Sequence, residues 1–228
     1  MFVYASHLVP DGFVRFCSGR YRPLLSDANV AIIIRVTPRV ERRPRKDAAA
    51  NRERVLDAAT ELVRRDGEKV PMAQIAEHAG VGVGTVYRHF PTREDLLGAL
   101  VHRSFGLALD NARAAAAHPG TALEGVRLFF LATLRDRERF VLPLHGGPPV
   151  FTRATRERQA AVRTVLRGLL ERGQAVGELR ADLTPEDLIL ATSLLSRPLP
   201  GTGNWERLAR RQIELMIHGL GPPAPSAD

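Results

Sequence analysis

The stretch that decides the fold is VGVGTVYRHF, residues 81–90. It places a glycine-bounded turn ahead of Thr85, Tyr87 and His89, which fall within five positions. On its N-terminal side, PMAQIAEHAG (71–80) carries Met72, Ile75, Ala76 and Ala79 at i, i+3, i+4 and i+7, the one-face spacing of a short helix. Pro71 suits a first helical position, where no N–H is needed. Gly80 suits the left-handed residue that ends a helix. A second helix starts between Gly82 and Gly84 and runs through Val86, Tyr87 and Phe90. On the C-terminal side, Pro91-Thr92-Arg93-Glu94-Asp95 opens another helix, with Thr92 as N-cap and two acids in the first turn. Two short helices joined by a glycine turn have the form of a helix-turn-helix, whose second helix enters the DNA major groove. A helical hairpin with no nucleic-acid role has the same local pattern.

Working outward, the chain reads as almost entirely helical. A helix over about 48–65 buries Val55, Leu56, Ala59, Leu62 and Val63, with Gly67 past its end. The helix opened by Thr92 continues through Leu96, Leu97, Leu100, Val101, Phe105 and Leu109 to about Ala117, where His118-Pro119-Gly120 stops it. That length lets it link the first three helices to the rest. A helix after Thr121 is apolar on more than one face and reads as central. FVLPLHGGPP (140–149) is a breaker cluster. Further helices follow over about 151–174, 185–196 after Thr184-Pro185-Glu186-Asp187, and 204–219. The end, GPPAPSAD, has the composition of a disordered tail.

The 228 residues are 44% hydrophobic and carry a net charge of +8, enough chain for a sizeable core. The charge is unevenly placed. Residues 1–46 hold nine basic and three acidic side chains, whereas residues 47–97 hold seven basic and nine acidic. Most of the excess therefore lies ahead of the helix-turn-helix, where Arg42, Arg43, Arg45 and Lys46 form a basic arm able to reach phosphates or an adjacent groove. A solvated tail is the alternative reading. Residues 1–38 have no sustained period; Val30–Ile34 could form a strand, but no partner for it is evident. Residues 1–44 are thus expected to be a poorly ordered basic extension.

The single Cys17 rules out an internal disulfide and fits a reducing cytoplasm. The start does not read as a signal peptide, and no apolar run is long enough to span a membrane. No GxSxG, HExxH or phosphate-loop motif appears, so the reading is not that of an enzyme, and no cofactor is implied. His145 has no Cys, Asp or His at ligand spacing, which argues against a metal.

Three stretches, RERVLDAATELVRRDG (52–67), MAQIAEHAGVGVGTVYRHF (72–90) and PTREDLLGAL (91–100), resemble without gaps the DNA-binding domain of the TetR family of bacterial regulators. The remainder matches that family only in being helical. The resemblance implies an all-α fold: a three-helix DNA-binding domain over 45–92, then a helical bundle over 93–220 for ligand binding and dimerisation, with 221–228 as a tail. It assigns phosphate contacts to the second motif helix and its flanks, which here are Thr85, Tyr87, His89 and Arg93. Their hydroxyl, phenol, imidazole and guanidinium groups are all able to donate to phosphate, and helix N-terminal amides add to them.

This chain departs from the family pattern in two places. Pro71 stands where Ser or Thr is common, and Gly82 where Ser is common. With Gly82, Val83 and Gly84 in its first turn, the reading helix has almost no hydrogen-bonding capacity for bases. Arg88, the arm, or DNA shape must then supply specificity. The resemblance further implies a homodimer on a palindromic double-stranded operator, paired through the last two helices, and a small-molecule effector in the body. Candidate lining residues are Phe129, Phe130, Leu134, Phe140, His145 and Phe151, though plain core packing is the stronger reading for any one of them. The expected function is a ligand-released repressor. An activator, or a nonspecific DNA-binding protein, is the alternative; the net acidic head argues against the latter.

Overall fold

The computed structural model describes residues 22–25, 31–34, 44–141, 151–199 and 201–222. Two compact units are formed, Met1–Asp47 and Ala48–Asp228. In the first, β1 (Arg22–Leu25) pairs antiparallel with β2 (Ala31–Ile34), with Arg22 opposite Ile34 and Leu25 opposite Ala31. The strand suggested at 30–34 therefore has a partner. RPLL did not declare itself because Pro23 lacks the N–H a ladder residue usually supplies. The other described elements are helical: α1 (Pro44–Asp66), α2 (Met72–His78), α3 (Val83–His89), α4 (Arg93–Ala116), α5 (Ala122–Arg135), a 3₁₀ turn (Arg137–Arg139), α6 (Arg153–Ala175), α7 (Pro185–Leu195) and α8 (Trp205–Leu220).

Local chemistry explains the boundaries. Pro44 opens α1 and Asp47 supplies an acid in its first turn. Gly67 and Gly80 take left-handed φ values of 89° and 63° where α1 and α2 stop. Capping boxes start α4 (Thr92 with Asp95), α5 (Thr121 with Glu124) and α7 (Thr184 with Asp187). α1 begins before the 48 expected from periodicity, so Arg45 and Lys46 sit in a helical first turn rather than in an extended arm.

Two apolar cores result. The first joins Val55, Leu56, Ala59 and Leu62 of α1 to Met72, Ile75 and Ala76 of α2, Val86 of α3, Phe90, and Leu96 and Leu100 of α4. The guanidinium carbon of Arg52 lies 5.2 Å from the centroid of the Phe90 ring, a cation–π lid on that core. The second core packs α5 (Val126, Phe129, Phe130, Leu134) against α6 (Val162, Leu166, Leu169, Leu170), α8 (Ala209, Ile213, Ile217), and Leu109, Ala112 and Ala115 of α4. Gly125 permits the close approach of α4 and α5: a Cβ there would lie 2.9 Å from the Ala115 carbonyl oxygen.

Polar contacts tie the two cores together at the middle of α4. Ser104 Oγ donates to the Leu100 carbonyl and accepts from the Val141 N–H at 2.9 Å. That bond holds Val141, which follows the 3₁₀ turn, in the first core. Arg103 reaches back to Asp57 of α1 at 2.8 Å. His102 Nδ1 lies 3.2 Å from Thr155 Oγ1, a fully buried hydroxyl at the start of α6, and Arg158 donates to the His102 carbonyl. Burial, with Arg158 and Arg52 nearby, holds the His102 imidazole below its ordinary pKa. A hydrogen bond from Arg135, with another from Asn111, holds Asp136 at the end of α5 below the usual carboxylate range despite its burial.

Both groups bind protons less readily folded than unfolded, so both contribute stability that is lost as pH falls. The windows differ: His102 acts as pH drops through and below about 6.5, and Asp136 below about 4. The thermal unfolding midpoint should therefore decline between pH 7 and pH 5. His102→Gln, which keeps a polar group facing Thr155, should flatten that decline and leave the loss below about pH 4. An identical pH profile for the variant would show that His102 does not titrate with folding.

Candidate nucleic-acid interface

α2 and α3 cross with their apolar faces inward and leave one side of α3 to solvent. Val86 is fully buried and Phe90 nearly so, fixing the helix by one edge. The opposite side presents Gly82, Val83, Gly84, Tyr87 and Arg88. Val83 and Tyr87 are 41% and 48% exposed, and four residues apart they stack along one row; Gly84 and Arg88 form the next. Among the described residues, no side-chain hydrogen bond or ion pair engages Thr85, Tyr87, Arg88 or His89. His89 makes only a tilted ring contact with Phe90, with centroids 6.3 Å apart. Four polar groups are thus held ready on a helix anchored from behind.

Arg93 is placed differently. Its Nη1 donates to the Glu68 carbonyl at 2.8 Å and to the Val70 carbonyl. It braces the α1–α2 connection against the start of α4, leaving Nε and Nη2 for an outside partner. Sequence reasoning groups it with the phosphate donors because nothing local shows that two carbonyls twenty-odd residues earlier come to meet it. Of the basic arm, Arg42 and Arg43 lie outside the described residues. Arg45 and Lys46 belong to the first turn of α1.

The body holds a second feature. A cleft of about 1050 Å³ opens between the α1–α2 connection and helices α4 to α7. Phe129, Phe140 and Phe151 line it. Phe130 and Leu134 do not; both are 2% exposed and belong to the core behind. His145 lies outside the described residues. Phe105, its ring tilted 46° to that of Phe151 with centroids 5.9 Å apart, lines the cleft with Ile189, Thr192 and Gln159, and Arg64, Gly67 and Lys69 line it too. Those residues carry no local signal, since only the tertiary arrangement brings α1, α4, α6 and α7 together.

Two family profiles cover these parts. Bacterial regulatory proteins of the tetR family match residues 55–100, and the C-terminal domain of SbtR-like transcriptional regulators matches residues 149–222. The chain belongs to the TetR family. An HTH-type transcriptional regulator of Staphylococcus aureus is 39% identical over 64 residues, 28% of this chain. That match spans only 35% of the relative's length. Among solved structures, a TetR transcription regulatory protein from Mycobacterium vanbaalenii is 28% identical, with a TM-score of 0.54 over 78% of this chain and 99% of that one. FadR from Bacillus subtilis, solved in complex with stearoyl-CoA, shares the fold at 20% identity, with a TM-score of 0.58 over 74% of this chain and 99% of that one. The α2–α3 unit is accordingly a DNA-binding helix-turn-helix of a transcriptional regulator.

No helix among the described residues is long and apolar enough to cross a membrane.

Two substitutions should separate positioning from reading. Tyr87→Phe removes one hydroxyl and should weaken binding to all DNA sequences about ten-fold, the scale of one hydrogen bond to a charged group. Arg88→Ala should also change which sequences a random-duplex selection enriches. Equal enrichment by wild type and Arg88→Ala would exclude base reading by Arg88.

Proposed function

We propose that this protein is a homodimeric repressor that binds a palindromic operator through α3 and is released by a small molecule in the body cleft. The observation that carries the operator reading is α3 itself, whose exposed Tyr87 and Arg88 and half-buried Thr85 and His89 have no hydrogen-bonding partner among the described residues. Thr85, Tyr87 and His89 grip phosphates, Arg93 steadies the α1–α2 connection beside them, and Arg88 reaches base edges. Arg42, Arg43, Arg45 and Lys46 add sequence-independent affinity by displacing counterions. The setting is the cytoplasm.

Dimerisation is supported by apolar surface on the last two helices. Leu190 and Leu194 of α7, and Leu208 and Leu215 of α8, are all exposed, Leu190 and Leu194 by 60% and 64%. Such side chains on neighbouring helices form a surface that a second copy buries by two-fold symmetry. A dimer places two α3 helices on one face of DNA, which gives a short reading helix usable affinity.

Effector release is supported by the composition of the cleft, where Phe105, Phe129, Phe140 and Phe151 share the lining with charged side chains that include Arg64, Lys69, Arg137 and Arg163. FadR is bound to stearoyl-CoA in its structure. For this chain the effector class rests on the cleft, which suits a large molecule with an apolar part and polar groups. Because Arg64, Gly67 and Lys69 come from the DNA-binding side and the remaining walls from the body, an occupant biases the angle between them.

Leu194→Asp should convert the dimer to a monomer in light-scattering chromatography and lower operator affinity at least a hundred-fold through lost avidity. An effector found by screening should release operator DNA from wild type but not from Ala108→Trp, whose indole would project into the cleft from one of its lining positions. Release from both would place the effector elsewhere. Replacing Arg42, Arg43, Arg45 and Lys46 with Gln should shallow the dependence of log affinity on log salt by about 0.9 for each phosphate no longer neutralised. An unchanged slope would remove the arm from the interface.

A further inference from the structure

We propose that Val83 is a specificity-determining residue that reads the 5-methyl group of a thymine, with Gly82 and Gly84 admitting the helix backbone to the base edges. This rests on the reading that α3 lies in the major groove of an operator.

The first turn of α3 presents a problem of its own. Gly82 has φ −68°, and Gly84 lies inside the helix; neither takes a left-handed conformation. Among the described residues, a Cβ built on Gly84 would meet nothing within 4 Å, as also at Gly168 of α6 and Gly219 of α8, and one built on Gly82 would meet only Thr85 Oγ1 at 4.0 Å. Gly67 and Gly80, by contrast, are explained by positive φ, and Gly125 by a carbonyl 2.9 Å from its absent Cβ. Gly82 is the N-cap of α3, a position where glycine is well tolerated, but Gly84 lies within the helix, where glycine is less stable than alanine and no neighbour requires a bare Cα. Their emptiness faces outward, on the side of α3 that carries Val83, Tyr87 and Arg88.

Between these two bare positions stands Val83, 41% exposed. Its isopropyl group is an isolated apolar knob on a face that elsewhere carries Tyr87 and Arg88. A valine side chain donates and accepts no hydrogen bond, so it is blind to the donor and acceptor pattern of the major groove. The groove has one apolar feature that distinguishes base pairs, the thymine methyl. Flanking side chains would hold the helix off; with glycine on both sides the knob can reach that methyl. The first turn reads by contact and shape, leaving polar reading to Arg88.

The full-length protein first selects its operator from random duplex DNA. Each thymine of a synthetic copy is then replaced in turn by deoxyuridine, which differs only in lacking the methyl. At one thymine in each half-site, wild-type affinity should fall about four-fold, the value of one buried methyl group, and about fifteen-fold when both half-sites are changed. Val83→Ala should bind the thymine and uracil duplexes equally well. Gly84→Ala should hold or raise the thermal unfolding midpoint while lowering operator affinity at least ten-fold, opposite directions that a purely structural glycine would not give. The proposal is overturned if no thymine is sensitive to the exchange, if the sensitivity survives in Val83→Ala, or if Gly84→Ala binds like wild type. Failure to enrich any sequence would overturn the operator reading itself, and this assignment with it.

Discussion

Helix α4 is shared by two hydrophobic cores, and the rest of the structure depends on that sharing. Leu96 and Leu100 complete the core of the DNA-binding helices, while Leu109, Ala112 and Ala115, on the same continuous helix, belong to the core of the body. A helix packed into both cannot turn in one without disturbing the other. Ser104, midway along, fixes Val141 of the body's own connection into the first core. Arg103 and Asp57 close the same junction from the α1 side. The reading helix is therefore mechanically continuous with the cleft, and any occupant of the cleft acts on a packed element rather than on a loose linker.

Electrostatics narrows where DNA can be gripped. The net acidic stretch 47–97 cannot hold DNA by bulk charge, so affinity must come from particular groups at particular places. α3 carries four polar side chains, Thr85, Tyr87, Arg88 and His89, with no partner among the described residues. Anchoring by Val86 and Phe90 matters as much as the polar groups, because a donor positions a phosphate only if its own helix is held.

Much of this was legible beforehand, for identifiable reasons. Caps and breakers act within three or four residues, so Thr92, Thr121, Thr184, Gly67 and Gly80 could be read as boundaries without knowing what lay nearby. The buried face of α1 followed from spacing alone. Long-range partners were not legible. Arg93 carries the same charge whether it meets a phosphate or, as here, the carbonyls of Glu68 and Val70. Phe129 and Phe130 are adjacent phenylalanines, equally apolar in sequence and both part of the body core; only the first also borders the cleft, because the pitch of α5 points the two rings in different directions. The strand at Ala31–Ile34 was visible from composition, whereas its partner was hidden by a proline.

The sequence by itself determined the helical character, the positions where helices start and stop, and the helix-turn-helix with its family, because all of these rest on short-range periodicity, capping and an ungapped motif. Only the tertiary structure decided which polar side chains lack a partner among the described residues, which phenylalanines line a cavity, and that no described neighbour requires a bare Cα at Gly84. Those properties depend on what occupies the space around a side chain, and that space is filled by residues distant in the chain.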